Sequence, residues 1–282
     1  MVETPDVVVP MESLPDPMSI NLLYKATNVS GASVYVSAQL ITPPAGWADY
    51  AERQCGELGV GVDDYFLFAT PTRTKPATGT TEVVTLRVTY YSDAGYSVEL
   101  NHEDIAYTYT YVDFDDAVTY NVVDEDTFEV DLEGWTGVVE VGTPNLVRDT
   151  AKARTGIGSM KHGNFETASV GYATKSFIIS NIASAFIRVW LLIDMYYLTY
   201  EHIVELITDA GGIVEKRTLP IAMDGTPKCG TEIVDQWLCV AAKIPVNGTY
   251  EVRLRGLCEV AHPTSDYLQV YYDDIKVIET VV

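Results

Sequence analysis

Along most of this chain apolar and polar residues alternate, and turn-forming residues break the alternation every ~8–12 positions. The stretch EVVTLRVTYYSDAGYSVEL, residues 82–100, alternates on both sides of SDAG, as a hairpin does. In IAYTYTYVDF, residues 105–114, one face carries Ile105, Tyr107, Tyr109 and Tyr111, and the other carries Ala106, Thr108 and Thr110. ASVYVSAQLIT, residues 32–42, repeats the pattern. A 3.6-residue period is nearly absent; before residue 120 only PAGWADYAERQ, residues 44–54, reads as one or two helical turns. The expectation is an all-β protein of two tandem antiparallel β-sandwiches.

The charged connector around residues 124–126 marks the end of one set of strands and the start of another. The expected layout is a proline-rich N-terminal arm over residues 1–18, an immunoglobulin-like β-sandwich over 19–122 and a jelly roll over 123–282, the first sandwich having about seven strands. Pro5, Pro10, Pro15 and Pro17 leave the arm little core of its own. Lying on a neighbouring subunit would order it.

The second half has a distinctive order of features. TFEVDLEGWT opens it, AKARTGIGSMKHGN follows, and apolar strands lead to DQWLCVAAKIP and the closing DYLQVYYDDIKVIE. This order resembles jelly-roll carbohydrate-binding modules, which open on Phe-Glu…Gly-Trp, continue through a small-Gly-x-x-Ser-hydrophobic turn and close on Asp-Asp-hydrophobic. Phe128, Glu129 and Trp135 match the opening, Gly158, Ser159 and Met160 the turn, Trp237 a late Trp, and Asp273 with Asp274 the closing pair. The resemblance implies a structural Ca2+ joining first and last strands, with Glu129 and Asp274 as its candidate ligands. A hard cation fits two carboxylates from neighbouring strands that would otherwise repel each other; the alternative is a solvated strand edge. The resemblance also implies sugar binding, in which C–H faces pack on aromatic rings. Trp135, Trp190 and Trp237 read as core residues. Tyr196, Tyr200 and Tyr271 are the candidate ligand-binding residues. Tyr271 and Tyr272 point to opposite faces of one strand, so one of them at most can serve.

Composition narrows the partners. A formal net charge of −22 over 282 residues argues against nucleic acid and anionic membrane surfaces. No apolar run reaches the ~18–20 residues of a membrane span, and the N-terminus shows neither the basic start nor the apolar stretch of a secretion signal. His102, His162, His202 and His262 form no HExxH or triad spacing, and no GxSxG elbow or phosphate loop occurs. No catalytic residue is nominated; the paired aspartates read as turn and strand-end residues. Cys239 and Cys258 flank a hairpin turn, which leaves both a bridge and buried thiols open, while Cys55 has no near neighbour to pair with. Asn28 and Asn247 begin sequons. These features together point to a non-enzymatic structural or decorating protein of an external assembly, on a virion or cell surface, held by contacts with other protein subunits. The alternative is a glycan-binding accessory module whose partner is a polysaccharide.

Overall fold

The computed structural model describes residues 6–11, 21–41, 52–61, 63–69, 73–142, 144–165, 170–180, 185–196, 202–210, 213–221, 237–244, 248–258 and 267–281. The regular elements among them are β-strands, and the chain divides into two compact units that meet in sequence at Val112 and Asp113.

The first unit holds β1 (Asp6–Pro10), β2 (Asn21–Thr27), β3 (Val34–Leu40), β4 (Arg53–Leu58), β5 (Asp63–Ala69), β6 (Thr81–Tyr91) and β7 (Glu99–Val112). Five of them form a sheet in the order β1-β7-β6-β3-β4, and β2 pairs with β5 in a separate ribbon. The alternation read from the sequence sets the core: Ile105, Tyr107, Tyr109 and Tyr111 of β7 are buried with Val36, Ala38 and Leu40 of β3 and Val84, Leu86 and Val88 of β6. Ala26 of β2 joins the same core, so the ribbon closes over the sheet as a sandwich.

β1 runs parallel to β7, from Asp6 opposite Thr108 to Pro10 opposite Val112, and buries Val8 and Val9. The arm is therefore ordered by its own chain over this stretch, and the reason for seating it on a neighbouring subunit falls away. Pro10 ends an edge strand, where a missing N–H does no harm. The expected helical turn over residues 44–54 lies mostly outside the described residues, and Arg53 and Gln54 already belong to β4. Cys55 is disulfide-bonded, contrary to the expectation that it stays unpaired. The amide of Asn28 is buried and donates to the carbonyls of Ala32 and Leu58, which leaves it no reach as a glycan acceptor.

The second unit holds β8 (Tyr120–Asp126), β9 (Thr136–Val141), β10 (Asn145–Asp149), β11 (Ser159–Phe165), β12 (Val170–Ile179), β13 (Ala185–Tyr196), β14 (His202–Ala210), β15 (Ile213–Ile221), β16 (Trp237–Ile244), β17 (Gly248–Cys258) and β18 (Tyr267–Thr280). One sheet runs β10-β11-β18-β13-β16, with β8 also on β18, and the other runs β15-β14-β17-β12-β9. The proposed boundary near residue 122 falls inside β8, which pairs with the last strand and so lies in this unit. Cys239 on β16 keeps its thiol, so no bridge to Cys258 forms.

β18 is the organising strand. Its first half pairs with β11, from Leu268 opposite Phe165 to Tyr272 opposite Met160; its second half pairs with β8, from Ile275 opposite Asp126 to Thr280 opposite Tyr120. The partner changes at Asp273 and Asp274, where Asp274 takes a φ of 47°. Between the sheets, Trp135 packs edge-on against Phe177 and donates its indole N–H to Asp126 at 2.9 Å. Lys175 of β12 reaches Asp124 and Asp126 of β8, each at 2.6 Å, so an ion pair ties one sheet to the other.

Candidate functional site

The closing aspartates sit where β18 changes partner, and the loop over residues 150–158 packs against them. Asp273 is fully buried and accepts the backbone N–H groups of Arg154 at 2.7 Å and Thr155 at 3.3 Å, while its other oxygen accepts that of Asp274 at 2.9 Å. Burial pushes its carboxyl up to about 6, helped by the neighbouring Asp274 charge and opposed by those N–H donors. Asp274 pairs with the Arg154 guanidinium and accepts the Thr155 hydroxyl at 2.8 Å. The same guanidinium lies 3.7 Å from the centroid of the Trp190 ring, which fixes the cation on a second side.

Glu129 meets the loop from the opposite end of the motif, its two oxygens each 3.1 Å from the Ile157 N–H. Arg148 bonds the carbonyls of Phe128 and Glu129. Gly156, at a φ of 60°, leaves room for the Glu129 carboxylate: a Cβ there would lie 1.8 Å from Oε1. One loop thus engages both expected metal ligands. The arrangement does not fit a Ca2+ site, because the carboxylates are met by N–H and O–H donors and a guanidinium where the ion would need about six to eight oxygens. No group of three His, Cys, Asp or Glu side chains gathers for a metal among the described residues.

Of the expected sugar-platform residues, the structure describes the surroundings of Tyr271. Tyr271 is only 3% exposed; Lys152 and Lys161 extend over its ring at 5.5 and 5.4 Å, and its hydroxyl donates to Gln269. A covered ring offers no face to a sugar. Tyr196 pairs with Tyr267 at the end of β13, and Tyr200 lies outside the described residues.

A different surface has the required chemistry. In β12 and β17, Gly171, Ala173, Phe177, Tyr250, Val252 and Leu254 turn inward and are buried. The alternate positions face outward: Tyr172 stands opposite Arg255, Thr174 opposite Arg253 and Ser176 opposite Glu251. The Arg253 guanidinium lies 5.4 Å from the centroid of the Tyr172 ring and is held by Glu251 at 2.9 and 3.1 Å. Thr174 donates its hydroxyl to Glu251 at 2.9 Å. Arg253 above all, and then Thr174, hold the Glu251 carboxyl below its ordinary range. Arg255 bonds Glu140 of β9 at 3.1 and 3.2 Å, and Val138 stands opposite Tyr172 in the register of β9. The result is a half-exposed aromatic ring among two arginines and two glutamates fixed on rigid strands.

No family model matches the sequence, and no curated protein matches it. Solved structures of similar build do exist. The CBM22-1 xylan-binding domain of Paenibacillus barcinonensis Xyn10C is 12% identical, with 58% of this chain and 97% of that one covered, at a TM-score of 0.37. The CBM22-1-CBM22-2 tandem domain of the same Xyn10C is 12% identical over 96% of this chain and 81% of that one, at 0.41. TmCBM61, solved with β-1,4-galactotriose, is 10% identical over 52% of this chain and 89% of that one, at 0.36. All three are carbohydrate-binding modules.

Proposed function

We propose that this protein binds glycans, without catalysis, through the outward face of the sheet that contains β12 and β17. The observation that carries the reading is Tyr172 between Arg253 and Arg255, each arginine anchored by its own glutamate. A pyranose stacks its C–H face on a tyrosine ring, and anchored guanidinium and carboxylate groups hydrogen-bond its hydroxyls with little side-chain entropy left to lose. An open sheet face with fixed polar groups suits an extended chain of sugars better than a single enclosed one. No helix among the described residues is long and apolar enough to cross a membrane.

The assembly reading loses its main support because the arm pairs with β7 of its own chain. Affinity electrophoresis of the full chain in gels containing arabinoxylan, β-1,4-galactan, mixed-linkage β-glucan or galactomannan tests the proposal. At least one of these neutral polymers retards the wild type, and Tyr172→Ala or Arg253→Ala weakens the retardation by roughly tenfold, as the loss of a stacking or charged contact does. Equal retardation of wild type and both variants overturns the assignment of this face.

A further inference from the structure

The outward face of the first unit carries three tyrosines that its core does not use. Tyr35 of β3 and Tyr91 of β6 are direct cross-strand partners. Tyr96, from the turn between β6 and β7, sets its ring edge-on to both, with centroids 6.0 and 5.4 Å away. All three are half-buried on the solvent side.

The backbone is built to hold Tyr96 there. Its φ is 52°, in the left-handed region that bulky residues avoid. The turn is held by Asp93, whose carboxylate accepts N–H groups from Gly95, Ser97 and Val98, and the Tyr96 hydroxyl accepts the Gly56 N–H at 2.9 Å. A strained aromatic held by this many bonds is the kind of outlier from which a function is worth inferring.

Glu52 supplies the polar half. Its Oε1 accepts both the Ser37 hydroxyl and, at 2.6 Å, the Tyr91 hydroxyl, and among the described residues Oε2 has no partner. That bond to Glu52 is the main reason the Tyr91 hydroxyl is harder to ionise than usual, so its proton stays committed to the carboxylate. Rings of fixed orientation beside an available carboxylate oxygen match the C–H face and hydroxyls of a sugar. The strand register bears on its charge: Glu57 stands opposite Tyr35, and Glu99, which meets His102 at 2.8 Å, stands opposite Tyr91, an acidic setting that favours a neutral sugar over a uronic or sialic acid.

We infer that Tyr35, Tyr91, Tyr96 and Glu52 form a second, independent binding site for a neutral glycan. The inference extends the glycan-binding reading to another surface but does not depend on Tyr172. Its test is affinity electrophoresis of the full chain against the four neutral polymers named above, with polygalacturonate as the anionic probe.

In a Tyr172→Ala background, retention by a neutral polymer persists, and adding Tyr35→Ala with Tyr91→Ala removes it. Glu52→Gln, an exposed change that spares the fold, weakens retention several-fold. Tyr91→Phe, which keeps the ring, weakens it less than Tyr91→Ala, and polygalacturonate gives no retardation. Three results overturn the site while leaving the Tyr172 face standing: Tyr172→Ala alone abolishing all neutral retention, Glu52→Gln and the tyrosine pair leaving retention unchanged, or polygalacturonate binding more strongly than the neutral polymers. Retention lost with the tyrosine pair but indifferent to Tyr172 supports this site and overturns the other. Absence of retardation by every neutral polymer overturns both.

Discussion

The second unit uses acids paired with arginine in two places, and the two differ in what surrounds them. Asp273 is fully buried and Asp274 nearly so, and they spend their oxygens on one loop and one guanidinium. Glu251 and Glu140 stand on an open face and hold Arg253 and Arg255 beside a half-exposed ring. The chemistry is the same in both; the difference is access to water. Where the pair is buried, its removal leaves unmet donors and charges, so it serves the fold. Where it is exposed, it adds little stability and leaves its groups available to a ligand.

Stability measurements can break this contrast. The largest effect belongs to Asp273→Ala, which strands three backbone N–H groups and costs about 3 kcal/mol in urea unfolding. Glu140→Ala, on the open face, costs no more than about 0.5 kcal/mol. Equal costs would erase the distinction. Lys175→Met leaves Asp126 buried without its cation and costs about 3 kcal/mol, and adding Asp126→Asn recovers part of that loss because no charge then remains to be buried.

The pH dependence sharpens the picture. Burial holds the His162 imidazole down to about 4, against an ordinary value of 6.5. Between these values the unfolded chain takes a proton that the folded one refuses, so stability is complete above pH 6.5 and falls on acidification toward 4, by about 1.4 kcal/mol per pH unit at most. Asp126 works in the opposite sense: burial raises it to about 6, so the folded state keeps a proton that the unfolded state has lost above 3.8. Its contribution declines as pH rises from 3.8 through 6. His162→Asn should therefore flatten the acid side of the stability profile, and an unchanged slope would show that His162 is not the buried neutral base described. The smallest effect is expected from metal removal. EDTA followed by excess Ca2+ leaves the melting temperature unchanged, because Arg154 already faces Asp274; a clear rise with Ca2+ would mean that the loop exchanges the guanidinium for the ion.

Much of this architecture was legible in the sequence. Two-residue alternation identified the buried face of β7, and the opening and closing motifs brought the strand before Phe128 beside the last strand, as Ile275 opposite Asp126 shows. The parallel seat of β1 was not legible, because nothing local encodes a partner a hundred residues away. Periodicity separated Tyr271 from Tyr272 but carried no sign that the stems of Lys152 and Lys161 cover the first. Arg154 was missed because an arginine in a glycine-containing turn looks solvated until the fold closes on it, and Arg148 because strand periodicity carries no sign of which carbonyls its side chain reaches. The Tyr172 face did leave a signal: EVRLR, residues 251–255, alternates charged and apolar positions, which puts three charges on one side of a strand whose other side is core. The tyrosines of the first unit left a weaker one, since SDAGYS reads as a turn and gives no hint that its tyrosine folds back onto the sheet.

The central claim is that buried acids hold this fold while the open face with Tyr172 recognises sugar. It is tested most directly by measuring melting temperature and neutral-polysaccharide retention on the same two variants, Asp273→Ala and Tyr172→Ala, with retention read at a temperature where both are folded. The account predicts that Asp273→Ala lowers the melting temperature and keeps retention, whereas Tyr172→Ala keeps the melting temperature and lowers retention. The reverse pattern, or a Tyr172→Ala variant retained as strongly as the wild type, would contradict it.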